Sequence, residues 1–550
     1  MTIQTSRSYL RIHPTDNVVV ALQDIPKGDY ITGNGLSVQV TQSVAAKHKV
    51  ALEALATGDS VRMYGVLVGK ATQPIAAGDI ITTFNLRHEA EPYGLNKRRP
   101  YHWQAPDVSA WETLTFAGYH RSDGSVGTRN YWLVVPLVFC ENRNVEMMKA
   151  AFERELGYAQ PDIYIDQVRR LVKVYQTGQT GPAPTAAIPE AAQPRLFPNI
   201  DGIQFLTHEQ GCGGTNADAD SLCQLLAGCI VNPNVAGVTV LSLGCQKSQI
   251  DQLRAEIRKR QPGFDRPLLY FDQQTYGTES AMLTDAIRET FNGLVTANAQ
   301  TRQPAPLSRL SVGLKCGGSD GFSGISANPA LGHLSDLLVT LGGTTLLAEF
   351  PELCGVEQEL IDRCTNPSDA GRFVGLMQQY AAQAAAVGAG FDMNPSVGNI
   401  KDGLITDAIK SAGAARKGGY APIAGVLDYT DLPTRPGLHL LCTPGNDVLA
   451  TTGMAASGAT LILFTTGLGT PTGNPIAPTV KISTNTRLAD RMPDIIDFDA
   501  GLVISGHETI EQTGERLLRW LIDLASGRIR TKAEDLGQHD FIPWQRGVNL

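Results

Sequence analysis

Leu310-Ser311-Val312-Gly313-Leu314-Lys315-Cys316-Gly317-Gly318-Ser319-Asp320-Gly321-Phe322-Ser323-Gly324 is the stretch whose reading decides the fold. Residues 310–315 make an apolar run of strand length, and the glycines after it force a turn. Asn328 then reads as a helix N-cap and Pro329 as the first helical residue. Leu331, Leu334, Leu338 and Leu341 recur on one helical face, and Gly342-Gly343 closes the helix. Residues 344–348 form a second apolar run, with Glu349 at its carboxyl end. Strand, helix and strand in this order are a unit of parallel sheet.

The same pattern extends in both directions. Residues 131–139, 202–207, 238–243, 438–442, 459–465 and 478–483 are further apolar runs, and Ile250, Leu253 and Ile257 have helical spacing. Two of these runs also end in glycine and cysteine: Gly211-Cys212-Gly213-Gly214 follows 202–207, and Gly244-Cys245 follows 238–243. Ligands of open α/β sheets bind beyond the carboxyl ends of the strands. Thiolates of Cys212, Cys245 and Cys316 converging there would suit a soft metal or an iron–sulfur cluster. The alternative is three small buried residues at crowded strand ends. Cys223 and Cys229 lie on a leucine-rich helical stretch and read as core, and packing is the default for Cys140, Cys354, Cys364 and Cys442.

The first 88 residues differ. Three segments echo one another around Gly28-Asp29, Gly58-Asp59 and Gly78-Asp79, each between short β-prone runs, which reads as a small all-β module of repeated turns. Residues 89–117, with Pro92, Pro100 and Pro106, read as a linker draped over a surface. The Pro- and Ala-rich stretch 176–199 reads as a surface insertion, and the polar stretch 298–308 separates two α/β domains. The expected organisation is 1–88, linker 89–117, a first α/β domain 118–307 and a second, catalytic one 308–550.

Composition narrows the class. With 550 residues the chain exceeds a single core, and 42% hydrophobic with 18% charged residues describes an ordinary globular protein. A net charge of −8 and no dense basic run argue against a nucleic-acid surface. No run approaches the ~20 apolar residues of a membrane helix. Residues 1–12 show no signal-peptide pattern, and nine cysteines fit reduced thiols, so a cytoplasmic location is expected.

Several residues carry candidate chemistry. The 316–324 loop could form an anion-binding nest, with Ser319 and Asp320 recognising hydroxyls or supporting a metal. His208 beside Gly211-Cys212 is a candidate acid or base, although a lone histidine is more often just hydrogen-bonded. Glu349 and Glu352 bracket Pro351 and could move protons or bind magnesium, or be solvated loop acids. His13, Asp16 and His48 could hold divalent iron or serve separately. Lys481, inside an apolar strand, needs a partner such as a substrate carboxylate. Gly124-Ser125-Val126-Gly127-Thr128-Arg129-Asn130 precedes its strand and is a poor dinucleotide loop.

Together these segments resemble the altronate/galactarate dehydratase family of sugar-acid hydro-lyases. The resemblance runs through Ile12-His13-Pro14-Thr15-Asp16, Gly127-Thr128-Arg129-Asn130, His208 with Gly211-Cys212, Gly244-Cys245, 316–324 with Ala327-Asn328-Pro329, Glu349 with Glu352, Thr443-Pro444-Gly445-Asn446-Asp447, Gly469-Thr470-Pro471 and Pro478-Thr479-Val480-Lys481. It implies an antifreeze-like β-clip module followed by two mainly parallel α/β domains. It also implies ferrous iron, an iron–sulfur cluster or another divalent metal such as manganese or magnesium, and dehydration of an aldonate or aldarate to a 2-keto-3-deoxy acid. On this reading iron sits at Cys212, Cys245 and Cys316, or alternatively at His13, Asp16 and His48. His208, Glu349 and Lys481 are the catalytic candidates. Arg129, Asn130, Ser319, Asp320, Asn328, Glu352 and Asn446 are the substrate-binding ones. The expected partner is a small sugar acid, with no nucleic acid or membrane, in a homo-oligomer.

Two departures bear on substrate. Gly398-Asn399-Ile400-Lys401 displaces the family's lysine by one place, and Gly467-Leu468-Gly469-Thr470-Pro471-Thr472 lacks the family's arginine and tyrosine. They leave room for a carbon–sulfur lyase acting on a 2-hydroxy sulfonate such as sulfolactate. A non-catalytic sugar-acid-binding homologue is the remaining alternative.

Overall fold

The computed structural model describes residues 8–33, 36–160, 163–178 and 194–547. Residues 179–193, most of the expected surface insertion, lie outside the described residues. The N-terminal module is all β, built from short antiparallel pairs such as Val18–Ala21 with Lys49–Ala51 and Ser60–Met63 with Val66–Ala71. The sequence echo has a backbone cause: Gly28, Gly58 and Gly78 occupy the same left-handed turn position, at φ 93°, 92° and 90°. A fourth turn of this kind escapes the sequence pattern, because Lys47 takes the glycine's place at φ 76°.

Two parallel sheets follow. The smaller is ordered Gly202–Phe205, Tyr131–Pro136, Val235–Ser242, Leu268–Asp272. The larger has seven strands, ordered Ile423–Leu427, Gly437–Leu441, Thr344–Ala348, Ser311–Cys316, Leu461–Thr466, Thr479–Ser483, Phe498–Asp499, all parallel. The central strands are buried on both faces, which is why their sequences are continuous apolar runs rather than alternating ones.

The helix after Ser311–Cys316 starts at Ala327, with Ser326 at the N-cap position, so Asn328 lies inside the first turn and does not cap it. Asn328 instead donates to Gly413 O and accepts from Thr465 Oγ1, joining the helix to two neighbouring elements. The linker's last residues also differ from a plain connection: Thr115–His120 pairs antiparallel with Gln303–Pro306. The chain therefore enters and leaves the smaller sheet's region side by side.

One apolar cluster joins Val20, Met63 and Val68 of the module to Leu314, Leu331 and Phe350. A second joins Leu133, Val135 and Leu226 of the smaller sheet's region to Leu346, Met454 and Ile462. The large sheet is thus the hub on which both other regions pack. No helix among the described residues is long and apolar enough to cross a membrane.

Candidate active site

The site forms at the carboxyl end of Ser311–Cys316 and Thr344–Ala348. Lys315 and Cys316 end one strand, and Glu349 follows the other in a left-handed conformation (φ 73°) that non-glycine residues seldom adopt. That backbone strain is characteristic of functional positions. A short 3-10 turn, Phe350–Leu353, presents Glu352 beside Glu349. Helix Asp407–Ala415 supplies Lys410, and the turn after it, Arg416–Gly418, supplies Lys417.

These side chains interlock in the buried interior. Lys315 pairs with Glu349 and lies 2.8 Å from Asp447. Lys410 Nζ lies 2.6 Å from Glu352, and Lys417 Nζ lies 2.7 Å from Cys316 Sγ. Cys316 Sγ in turn donates to Glu352 at 3.4 Å. Glu349 Oε2 is buried with no hydrogen-bond partner among the described residues, although Lys417 Nζ lies 3.9 Å away. Asp447, one-third exposed, is the open side of the group. Burial and the neighbouring Glu352 charge push the Glu349 carboxyl above the carboxylate range despite Lys315 and Lys417. Lys410, Lys315 and Lys417 outweigh burial at Glu352 and hold it down. Adjacent carboxyls driven apart in this way are the arrangement that separates a proton-transfer group from a fixed anion.

The N-terminal module reaches this edge. Lys47 Nζ lies 2.9 Å from Asp320 and 3.2 Å from Asp402. Lys49 donates to Gly403 O at 2.5 Å. Gly321 serves this approach, since a Cβ there would sit 2.6 Å from Lys47 O. The nest expected from 316–324 is largely filled by the protein: the amides of Asp320, Gly321, Phe322 and Ser323 go to Ser323 Oγ, Asp402 O, Asp320 Oδ1 and Asp320 O. The amides of Gly318 and Ser319 have no acceptor among the described residues. Asp320 is committed to its own loop, to Thr484 and to Lys47, so it anchors the module.

Other sequence-nominated residues stand elsewhere. Cys212 and Cys245 are exposed at the end of the smaller sheet, whereas Cys316 is buried among the lysines. The three sulfurs do not form a ligand group within 4.8 Å. His13, Asp16 and His48 do not form one either. The Asp16 carboxylate accepts from the amides of His13, Tyr64 and Gly65, which fixes a turn. His208 bonds Pro136 O through Nε2 at 2.8 Å and accepts from Gln210 N through Nδ1 at 3.1 Å. Burial pushes it down to about 4, so it is a neutral, fully engaged strut. Arg129 forms a buried two-pronged pair with Glu534, at 2.8 and 3.0 Å, and Asn130 is bonded to Asn199 O, Ala297 O and Arg121. Both side chains are engaged in these buried ties. Lys481 donates to Thr472 O and steadies the 467–473 loop. Asn446 caps helix Asp447–Ala456, next to the exposed side of the site.

Cys316, Glu349 and Glu352 do bring three ligand atoms within 4.8 Å of one another. Their donor types suit ferrous iron, but each donor already faces an ammonium group, and burial pushes the Cys316 thiol up to about 11. A divalent ion would add two positive charges beside three lysines. As arranged, this group does not fit the metal that the resemblance implies; an incoming carboxylate suits its lysines better.

The sequence reading missed Lys315, Lys410, Lys417 and Lys47. Lys315 carries the signal that singled out Lys481, a lysine inside an apolar strand. The other three come from segments whose proximity only the tertiary structure creates.

Family comparisons agree with this architecture. Residues 7–89 match the altronate/galactarate dehydratase SAF domain, 118–298 the second domain of D-galactarate dehydratase/altronate hydrolase, and 307–549 the C-terminal domain of D-galactarate/altronate dehydratase. The chain is 33% identical to altronate dehydratase of Bacillus subtilis, over 95% of this chain and 96% of the relative. It is 32% identical to altronate dehydratase of Escherichia coli, over 98% and 100%. It is 31% identical to galactarate dehydratase (L-threo-forming) of Escherichia coli, over 97% and 95%. With all three regions matched in order and these relatives aligned along nearly their whole length, the chain belongs to the altronate/galactarate dehydratase family of hydro-lyases.

Proposed function

We propose that this protein dehydrates a sugar acid at the Lys315–Glu349–Glu352 cluster, removing water across C2 and C3 of an aldonate or aldarate to give a 2-keto-3-deoxy acid. The observation that carries this reading is the pair of buried, adjacent carboxyls with opposed proton affinities, set among three lysines at a strand end. Elimination requires loss of the weakly acidic C2 proton, and negative charge then builds on the substrate carboxylate. Lys315, Lys410 and Lys417 supply positive charge to that carboxylate in a dry site, where such stabilisation is strongest. Glu349, with its proton affinity raised by burial, takes the C2 proton and returns it to the departing C3 hydroxyl, which leaves as water, and the remaining enol tautomerises to the 2-keto acid. Glu352, held ionised by Lys410, keeps the lysines in place. The amides of Gly318 and Ser319, without an acceptor among the described residues, and the exposed Asn446 are placed to position hydroxyls.

Leu468 bears on which acid is used. It stands where the family pattern carries an arginine, with its Cβ 3.3 Å from where a Cβ on Gly318 would sit, and it removes a partner for a second carboxylate. This supports a singly charged aldonate over an aldarate. The test is a screen of C5 and C6 aldonates and aldarates with detection of keto acid, run beside sulfolactate with detection of sulfite. Keto acid from an aldonate is expected. Sulfite release without keto acid from any sugar acid would replace the proposal with the carbon–sulfur lyase reading.

A further inference from the structure

A second group of metal-competent side chains lies apart from the lysine cluster. His88, at the end of the N-terminal module, meets Cys354 and Asp407, and their ligand atoms all lie within 4.8 Å of one another. The environment differs from that of Cys316 in the respect that matters. Among the described residues no lysine or arginine pairs with Asp407. Asp407 is 1% exposed; its Oδ1 accepts from Ser411 Oγ at 3.3 Å, the Cys354 thiol faces the carboxyl, and its Oδ2 is buried with no hydrogen-bond partner among the described residues. Such an oxygen is costly unless something cationic or donating meets it. The His88 ring has one long bond among the described residues, 3.4 Å from the Ala408 amide to Nδ1, which coordination can displace. Acidic neighbours add negative potential: Asp392 and Glu89 face His88, and Glu357 faces Cys354. Glu352 and Lys410 also act electrostatically on Asp407, with opposite signs.

We propose that His88, Cys354 and Asp407 bind a divalent transition metal, with zinc or ferrous iron as the matching class. Imidazole, thiolate and carboxylate are the ligand types these ions share, with bonds of ~2.0–2.3 Å. Three ligands in place leave a fourth position for water or Asp392. The position in the chain gives the site a purpose. Cys354 directly follows the turn that presents Glu352, and Asp407 opens the helix that carries Lys410. A metal held there ties the N-terminal module to both segments of the Glu352–Lys410 pair. It is a structural staple beside the reacting groups, and it does not depend on the identity of the substrate.

Full-length protein freed of metal with a chelator and titrated with Co²⁺ tests this directly. One cobalt per chain is expected, with the thiolate-to-cobalt charge-transfer absorption of a cysteine ligand. Cys354→Ser abolishes that absorption, and Asp407→Asn weakens cobalt binding at least tenfold. Cys316→Ser and the Cys212→Ser/Cys245→Ser pair leave the absorption intact. The proposal is overturned if wild type shows no charge-transfer band, if the band survives Cys354→Ser, or if it disappears with Cys316→Ser or the Cys212/Cys245 pair. Cys354 is only partly buried, so its serine variant is expected to fold; thermal melting checks this, and Asp407→Asn supplies an independent reading.

Discussion

The carboxyl edges of the two parallel sheets look alike in sequence and differ in what they hold. Each has apolar strands running into glycine and cysteine. At the smaller sheet, Cys212 and Cys245 are exposed and the polar residues close by, His208, Arg129 and Asn130, are saturated by main chain or by fixed partners. At the larger sheet, Cys316 is buried among charged side chains with an unsatisfied carboxylate oxygen. A buried polar group with no spare valence holds the fold together, whereas one left unmatched in a charged cluster is available for chemistry. The same Gly-Cys motif therefore ends in an exposed loop in one region and in a buried charged cluster in the other.

Substitutions can break this contrast, and the largest effect belongs to Lys315→Met. It leaves Glu349 and Asp447 without their shared cation, and loss of one partner from a buried pair costs ~3–5 kcal/mol. Turnover is expected to fall by about 10³-fold in steady-state assays on whatever fraction remains folded, a loss of the size seen on removing a group that stabilises developing charge. Full activity would show that the large sheet's edge is not where charge develops.

Arg129→Met is the counterpart at the smaller sheet. It strands the buried Glu534, which Arg129 holds down to about 2, and should lower stability by about 3 kcal/mol in a denaturant melt. The KM of the folded enzyme should not move, because Arg129 touches no open surface. A selective rise in KM would return it to substrate binding.

His208→Asn sharpens the contrast through pH. The folded-state value of His208 is depressed from 6.5 to about 4, so as pH falls the unfolded chain takes up the proton first. Stability from this residue is complete above about pH 6.5 and is lost as pH falls toward 4. The asparagine variant should flatten that acid limb of the stability curve and leave turnover within about twofold, far from the ~10²–10⁴-fold contribution of a proton-transfer group.

The smallest expected change is in the pH profile of kcat/KM. Glu349 has its carboxyl raised, so the profile should bend above the ordinary carboxylate range, and the bend should vanish in Glu349→Gln.

Much of the architecture was legible because strands buried on both faces are written as unbroken apolar runs, as at 311–316, 344–348 and 461–466. The helix after Cys316 was legible too, but its first residue was not, because the Asn328 amide serves Gly413 and Thr465 instead of a cap. In the site, Glu349, Glu352 and Cys316 stood out as polar residues at strand ends. Lys410 and Lys417 lie on an alanine-rich helix and its exit turn, where nothing local marks them. Lys47 was hidden for another reason: it occupies a turn position that glycine fills in three sister repeats, so it looked like a break in the pattern instead of its functional copy.

The most direct measurement compares turnover of Glu349→Gln with that of the Cys212→Ser/Cys245→Ser double variant on one sugar-acid substrate. The glutamine variant is predicted to lose at least about 10²-fold in kcat while still binding the acid, and the serine pair to stay within about twofold of wild type. An inactive serine pair, or an unimpaired Glu349→Gln, would place the chemistry at the smaller sheet and contradict the assignment.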